Sequence, residues 1–503
     1  MVHRKTRMAS VRKPGEPAIE TVLVKVGGEN SRSRGCEGST NGLRVSTGRT
    51  RHDNGAPSTS APTFQVIDVL PCLLLPQQPF QVANVGEFRE STLGPNRPNT
   101  RFGDPGHFFV IIEIESSYSI ISWFTAASSR QRAVSVELGV DMNKLIPTEF
   151  QIALLPGDGI GPEVTAEVLR LLDVISTLEP SLSFKTVSFP WNAEYYLTHN
   201  AMMPPDGLET LSKFDAIFLG AIGDSRVPDH ISMRQLIFAI RQNFDQYVNL
   251  RPVKLLRGGT TPLADRKPED LDILFVRENS EGEYSGIGET LFPDTQDEIA
   301  MQTSVFSRKG VERIMHYAFE LASASGRPLQ SISKGNALNF SGVLWDRIFA
   351  EVSVLYPDVE SRNLLVDAAA LHLVLNPDRF GVVVASNLFG DILTDLGAAL
   401  VGGLGFAASA NLCPDRRFPS MFEPVHGSAP DIAGRGIANP IAALWAAGMM
   451  LSHLGYPQWE SAIIEAIERV IIEGKVRTPD LGGTARTAQL TDAVLGKLTV
   501  LVR

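Results

Sequence analysis

The chain has 503 residues, 46 Lys and Arg against 56 Asp and Glu for a formal net charge of −10, and 43% hydrophobic residues. At roughly 150 residues per domain this allows about three domain-sized units, enough for a core that needs no disulfide framework. Its three cysteines, Cys36, Cys72 and Cys413, exclude a disulfide scaffold and a four-cysteine zinc site, and the acidic balance argues against nonspecific nucleic-acid binding.

The charge is uneven. Residues 1–148 carry 17 Lys and Arg against 13 Asp and Glu, so the acidic excess belongs to the remainder. The first 60 residues are basic and rich in Ser, Thr, Gly and Asn, a composition that buries too little apolar surface to offset the entropy of ordering. Residues 1–148 are therefore expected to form a largely disordered extension of unknown role. No apolar run follows Met1–Ser10, so no secretory signal is expected. The expected location is cytoplasmic. A mitochondrial address through the basic N-terminus is the alternative, although Glu16 and Glu20 depart from the acid-poor pattern of transit peptides. The stretch His107–Ala127 is the most membrane-like, but Glu113, Glu115, Ser116 and Ser117 interrupt it, and a spanning helix needs about 20 largely apolar residues. It reads as a strand or a chance apolar patch. Phe64–Phe80 has the same ambiguity, with Pro71, Pro76 and Pro79 against a helix.

From Phe150 the pattern changes. Gln151–Leu155 is a short apolar run suited to a buried strand, and Glu163–Ile175 has helical periodicity with Pro162 at its start. Further strands are expected at Ala216–Leu219, Ile273–Val276 and Val382–Ala385, and helices at Gly310–Ser323, Ile392–Val401 and Ala442–Leu454. Alternation of this kind predicts an α/β fold with a largely parallel sheet. Gly157, Gly159 and Gly161 lie between strand and helix, but their spacing is G-x-G-x-G, not the dinucleotide G-x-G-x-x-G. A tight turn is the preferred reading over a classical Rossmann site.

Three arginines stand out. Arg241 and Arg251 are ten residues apart, and Arg277 ends an expected strand. Guanidinium forks suit bidentate carboxylate recognition, so three in one cleft would hold a small polyanion; singly, each reads as a surface ion pair. Asp391 and Asp395 are four residues apart on an expected helix. Both carboxylates then share one face and repel, unless a divalent cation such as Mg²⁺ or Mn²⁺ joins them. The plainer reading, acidic residues complementing a helix N-terminus, accounts for Asp391 better than for Asp395. The Gly- and Pro-rich segment Glu423–Asn439 precedes a helix and is long enough to suggest a binding loop, although composition alone leaves an irregular surface loop open. Tyr284 and Lys334 are proton-transfer types in polar contexts; singly, each reads as a surface or packing residue.

Together these residues resemble the metal-dependent β-decarboxylating dehydrogenases, the isocitrate and isopropylmalate dehydrogenase family, from about Phe150 to the C-terminus. Trp191–Tyr196, Val227–Ser232, Phe244–Pro252, Val276–Ser285, Val384–Asp391 and Ala410–Leu412 look most like its tartrate dehydrogenase/decarboxylase and D-malate dehydrogenase branch. The resemblance implies a two-domain isopropylmalate dehydrogenase-like α/β fold, not a classical Rossmann fold. A cofactor-binding domain would comprise 149–246 and 402–503, and a second domain, 247–401, would carry dimer contacts. It implies a homodimer with shared active sites, acting on a small-molecule dicarboxylate and not on nucleic acid or membrane. Arg241, Arg251 and Arg277 would grip a substrate carboxylate. Asp391 and Asp395 would hold Mg²⁺ or Mn²⁺, with Asp367 joining from the partner subunit. Tyr284 would protonate the carbon left by decarboxylation, and Lys334 from the partner would assist deprotonation of the hydroxyl. Glu423, His426, Gly427, Ser428, Ala429, Asp431, Ile432 and Asn439 would bind NAD, with Asp431 favouring the free 2′-hydroxyl over the phosphate of NADP.

The implied reaction is oxidation with decarboxylation of a 2-hydroxy dicarboxylic acid, tartrate and/or D-malate. The alternatives are 3-isopropylmalate, which needs an apolar pocket near Arg234, Ile237 and Phe238, and a catalytically silent regulatory subunit, which should lack residues that are all present here. Gly335 departs from the family's Lys-Ser-Asn pattern at Lys334–Asn336 and puts the aim of Lys334 in question.

Overall fold

The computed structural model describes residues 148–502 and, in the N-terminal segment, the backbone of four strands. These are β1 (Thr21–Gly28), β2 (Phe80–Val82), β3 (His107–Ile114) and β4 (Tyr118–Thr125), in the order β2-β1-β3-β4. The apolar stretch His107–Ala127 thus holds two strands, paired antiparallel. The rest of residues 1–147 lies outside the described residues. With it lie the expectations of disorder and of a targeting sequence, and the reading of Phe64–Pro79. Residues Met1–Met142 and Asn143–Arg503 form two separate units.

In the second unit, β5 (Thr148–Gly157) leads into α1 (Gly161–Leu178), followed by β6 (Leu182–Ser188), α2 (Ala193–His199), α3 (Gly207–Leu211) and β7 (Ala216–Ala221). The short α4 (Asp229–Ser232), a π-helix (Met233–Phe238) and α5 (Ala239–Asn243) run on without a break before β8 (Val248–Lys254) and β9 (Asp272–Glu278). A hairpin of β10 (Gly282–Leu291) and β11 (Ile299–Val305) precedes α6 (Arg308–Ser325), β12 (Leu329–Ser333), α7 (Ser341–Ser353), β13 (Ser361–Leu365), α8 (Val366–Leu375), β14 (Val382–Ala385) and α9 (Asn387–Leu400). The chain closes with β15 (Ala408–Leu412), β16 (Ser420–Pro424), α10 (Ile441–His453), α11 (Pro457–Glu473) and α12 (Thr487–Val502). Every strand and helix expected after Phe150 is present, Val382–Ala385 with the same bounds and the others with shifted ends: α9 starts five residues earlier than expected, and both it and α10 end one residue short of the expectation.

Ten strands make one sheet in the order β13-β12-β14-β9-β8-β15-β16-β7-β5-β6. Pairing is parallel on both flanks and antiparallel where β8 meets β9 and β15 and where β15 meets β16. The mixed centre separates this sheet from a classical Rossmann arrangement. Along β5, Ile152 and Leu154 join one hydrophobic cluster and Ala153 and Leu155 another, as alternation across a two-sided sheet requires. The first cluster runs the length of the sheet. The opposite side holds two: one from residues 153–244 with Met421, the other from residues 253–401. Helix α10 is buried along Ile441–Leu451, which explains why its sequence is apolar all round.

The glycine turn is a packing requirement. Gly157 and Gly159 have φ of 74° and 55°, and a Cβ there would lie 1.8 Å from the Ala221 carbonyl oxygen and 1.9 Å from that of Ser428. Helix α9 approaches the sheet by the same means. A Cβ at Gly390 would lie 2.7 Å from Arg277 Cβ, and one at Gly397 would lie 2.7 Å from Val253 Cγ2. That approach lays Asp391 over the arginines.

Candidate active site

The parallel strands β9, β14, β12 and β13 all end on one edge of the sheet, and the chemistry-bearing residues follow those ends: Arg277, Asn387, Lys334 and Asp367. The carboxyl edge of a parallel sheet is where α/β folds bind ligands, because helix N-termini and loop amides converge there.

Three buried guanidiniums lie at this edge. Arg277, on β9, donates from Nε and Nη2 to Asn387 Oδ1 at 3.0 and 2.6 Å, and its Nη1 pairs closely with Asp391 Oδ1. Arg251, on β8, donates to Thr394 Oγ1 at 2.8 Å and lies 3.2 Å from Asp391 and 3.8 Å from Asp395. Arg241, on α5, donates from Nη2 to Glu423 Oε1 at 2.7 Å. Nε of both Arg241 and Arg251 is buried with no hydrogen-bond partner among the described residues. Burial, then the neighbouring Arg251, pulls Arg277 down to about 9, and burial lowers Arg251 as well. A guanidinium keeps its proton at physiological pH, so this pull is expressed as demand for anions.

Asp391 answers part of that demand. Burial opposes its ionisation, but the charges of Arg277 and Arg251 hold its carboxyl below the usual carboxylate range. Burial, partly opposed by Arg251, pushes Asp395 up, and the Asp391 charge adds to the rise. The two carboxylates thus sit against cations that share them, and their oxygens are hard donors of the kind Mg²⁺ and Mn²⁺ take. Among the described residues no group of three or more His, Cys, Asp or Glu converges to hold a metal. One chain offers these two carboxylates.

Tyr284 donates to Asp391 Oδ2 at 3.1 Å, its ring stacks on Phe238 at 5.5 Å, and Arg277 lies 5.6 Å from its centroid. Burial, then the Asp391 charge, pushes its phenol up, so the hydroxyl stays protonated.

Lys334 and Asp367 make a second group. Lys334 Nζ lies 2.6 Å from Asp367 Oδ1, and no hydrogen bond or ion pair joins either to the arginine cluster. Gly335 has a local reason: a Cβ there would lie 2.1 Å from Asp346 Oδ2, and Asp346 is held by Asn363 at 2.7 Å.

The loop after β16 is fastened to the start of α1. Ile160 N donates to the Ser428 carbonyl at 2.8 Å and Gly434 N donates to Glu163 Oε1 at 2.5 Å. His426 Nδ1 contacts the Gly427 carbonyl at 3.1 Å, its Nε2 is buried with no partner, and burial lowers its pKa. Gly427 and Asp431 are exposed, Ala429 takes a left-handed φ of 42°, and Ile432 packs against the core. Asn439 is engaged inside the chain: it donates to Asp480 at 2.9 Å and accepts from Ile441 N at 3.0 Å. Glu423 faces Arg241 and accepts from Asn411 at 2.8 Å.

Sequence reasoning missed Asn387, Thr394 and Asn411, the neutral partners of Arg277, Arg251 and Glu423. The only available signal was position: Asn387 and Thr394 flank Asp391 by one helical turn. It also missed Asp158, which accepts from Ala193 N and Gly223 N at 2.9 Å and fixes the glycine turn.

One sheet edge thus gathers three buried arginines against paired carboxylates, beside a loop clamped to a helix N-terminus. The model of the isocitrate/isopropylmalate dehydrogenase family matches residues 151–494, and the chain belongs to that family, which makes it an oxidoreductase of the CH–OH group. It is 50% identical over 347 residues to a probable tartrate dehydrogenase/decarboxylase of Agrobacterium vitis, covering 69% of this chain and 97% of that one. It is 49% identical over 353 residues to the decarboxylating D-malate dehydrogenase of Escherichia coli, again covering 69% and 97%. The isocitrate dehydrogenase structure from Methylococcus capsulatus aligns with a TM-score of 0.63 at 35% identity over 69% of this chain and 99% of that one.

Proposed function

We propose that the chain catalyses NAD- and divalent-metal-dependent oxidation, with decarboxylation, of a small 2-hydroxy dicarboxylic acid, tartrate and/or D-malate. The observation that carries this reading is the lock of Arg251 and Arg277 on Asp391, with Nε of Arg241 and Arg251 left over. Without substrate, Asp391 serves as the arginines' anion. A substrate carboxylate takes over that role and frees Asp391 and Asp395 for a cation. Bound there, Mg²⁺ or Mn²⁺ would acidify the substrate hydroxyl and stabilise negative charge after loss of CO₂. The arginines orient the dicarboxylate, and Tyr284, held protonated, stands ready as proton donor. The names of the relatives point to tartrate and D-malate.

The cofactor reading rests on the loop from Glu423 to Asn439. His426 Nε2 offers an unpaired acceptor, and exposed Asp431 offers a carboxylate for a ribose hydroxyl. The shared homodimeric site rests on two observations. Asp367 and Lys334 pair with each other and not with the arginine cluster. Exposed Ile287, Phe292, Ile299 and Met301 on the hairpin, and Leu371, Leu375 and Ile392 on α8 and α9, form apolar surface of the kind interfaces cover. We also read residues 149–246 with 402–503, and 247–401, as the two domains. The divided clusters on one side of the sheet support that boundary.

Initial rates with NAD⁺ and Mn²⁺ on D-malate, L-tartrate, meso-tartrate, 3-isopropylmalate and isocitrate test the assignment. The largest kcat/KM should fall on D-malate or a tartrate. A clear preference for 3-isopropylmalate or isocitrate would overturn it.

A further inference from the structure

Tyr284 sits in the least regular part of its hairpin. From Ile287 to Leu291, β10 pairs residue by residue with β11, but the register shifts between Gly282 and Ile287. Gly286 within that bulge has φ of 79°. A bulge re-aims side chains at the cost of ladder bonds, so the segment carrying Tyr284 needs bracing from elsewhere.

The brace comes from the π-helix. Arg234 lies flat across Gly286: a Cβ on that glycine would meet Arg234 Nη1 at 1.8 Å and Cζ at 2.6 Å. The same guanidinium is 5.9 Å from the Phe238 centroid, Phe238 stacks on Tyr284 at 5.5 Å with 24° between planes, and Arg277 lies 5.6 Å from the Tyr284 centroid. Each of the two stacked rings thus has a guanidinium within 6 Å of its centroid. Arg234 and Phe238 are four residues apart on one helical stretch, so one side chain reaches the backbone of β10 while the other reaches its tyrosine. Arg234 makes no hydrogen bond or ion pair among the described residues. Its contacts are the ring and the glycine. Wide π turns inside helices recur at functional sites because they shift such side chains out of α-helical register.

We propose that Arg234 is a positioning residue that acts through Phe238 and Gly286 to hold Tyr284 at its proton-donating position. The inference rests on the proposed oxidative decarboxylation, in which Tyr284 delivers a proton after CO₂ leaves. Arg234 also borders the region where the sequence places the substrate's variable group, so KM is read beside kcat to separate a positioning role from a substrate contact.

Full-length wild type, Arg234→Ala, Arg234→Lys and Gly286→Ala are compared on D-malate with NAD⁺ and Mn²⁺. Arg234→Ala should lower kcat by roughly three- to thirtyfold, the range of one cation–π contact, with KM for D-malate unchanged and a larger solvent deuterium isotope effect. Arg234→Lys should restore most of kcat, since it keeps a cation over the ring. Gly286→Ala strains a backbone at φ of 79° besides displacing the guanidinium, so it should lower kcat more in wild type than in an Arg234→Ala background. Fluorine NMR of fluorotyrosine at position 284 reports the ring without turnover: one sharp resonance in wild type, shifted or broadened in Arg234→Ala. An unchanged kcat and resonance in Arg234→Ala would overturn the proposal. So would a rise in KM at constant kcat, which would make Arg234 a substrate contact. A wild-type enzyme inactive on every 2-hydroxy dicarboxylate would instead overturn the reaction assignment, with the fluorine spectra still deciding whether Arg234 holds Tyr284.

Discussion

The Arg277–Asp391 and Lys334–Asp367 pairs stand on the same edge of the sheet, yet they differ in everything that sets the strength of a charge. Arg277 is 2% exposed, whereas the Asp367 side chain is 65% exposed. Arg277 is fixed by Asn387 on α9 and pressed beneath Gly390; Lys334 hangs from a strand end and meets only Asp367. Removal of one member of a buried pair strands the other charge, whereas an exposed pair contributes little because solvent replaces the partner. The first cluster is enclosed by its own chain, whereas the second pair is open to solvent.

The sharpest way to break this contrast is to neutralise carboxylates on each side of it. Asp391→Asn and Asp395→Asn should each lower activity by roughly two to four orders of magnitude and weaken Mn²⁺ binding, since each removes a charged ligand. Asp391→Asn should also cost about 1–3 kcal/mol of stability, because Arg251 and Arg277 lose their anion while Asp391 itself is partly exposed. Asp367→Asn should leave stability unchanged while lowering activity. Mn²⁺ titration and thermal unfolding of the three variants check this. Unchanged Mn²⁺ affinity in both Asp391→Asn and Asp395→Asn would remove them from the metal site.

A mixing experiment tests whether the exposed pair serves the neighbouring subunit. Lys334→Ala and Tyr284→Phe homodimers should each be severely impaired. If Lys334 completes the partner's site, a randomly mixed dimer restores one intact site, and unfolding and refolding an equimolar mixture should recover about a quarter of wild-type activity. If Lys334 acts within its own chain, mixing should recover nothing.

What the sequence made legible follows apolar continuity: β12, β15 and β16 are buried throughout, yet Ser, Gln, Asn and Glu interrupt their runs and they were not expected. Gln151–Leu155, Ala216–Leu219 and Val382–Ala385 announced themselves because strands buried on both faces are continuous apolar runs. The hairpin β10–β11 went unseen: it mixes glycine, polar and exposed apolar residues without a sustained period. The arginines and aspartates were legible as types, but Asn387, Thr394 and Asn411 were not, because a neutral amide or hydroxyl has meaning only beside the charge it meets in space. Gly335 reads in the sequence as a departure that loosens the aim of Lys334, and the approach of Asp346 supplies a packing reason that no local pattern contained.

A smaller effect is expected at the cofactor loop, where an exposed charge acts on a ligand. Asp431 should accept a hydrogen bond from the free 2′-hydroxyl of NAD and repel the 2′-phosphate of NADP. Asp431→Lys with Ile432→Tyr should shift the kcat/KM ratio towards NADP⁺ by roughly tenfold to a few hundredfold, the worth of one or two charge-assisted contacts. Ile432 packs against the core, so the double variant should also lose some stability. Comparable kcat/KM for NAD⁺ and NADP⁺ in the wild type would overturn the role of Asp431.

Burial with an anion and burial without one should part company in acid. Arg277 is buried beside Asp391 and stays charged. His453 is half-buried beside the Phe422 ring, Arg416 donates to its carbonyl, and the charge that acts on its imidazole is that cation. Burial, then Arg416, pulls its imidazole down from 6.5 to about 4. The folded protein therefore holds His453 neutral where the unfolded chain would protonate it. Between those two values the unfolded state binds more protons, so stability is present above about pH 6.5 and is lost as pH falls towards 4. The loss attributable to this one group is on the order of 1–3 kcal/mol across that window. His453→Gln keeps a polar side chain of similar size but has nothing to titrate. Denaturant unfolding at intervals between neutral pH and pH 4 should show a shallower decline in the variant than in the wild type. Parallel declines would mean that His453 does not couple burial to protonation, and that the acid sensitivity of the fold arises elsewhere.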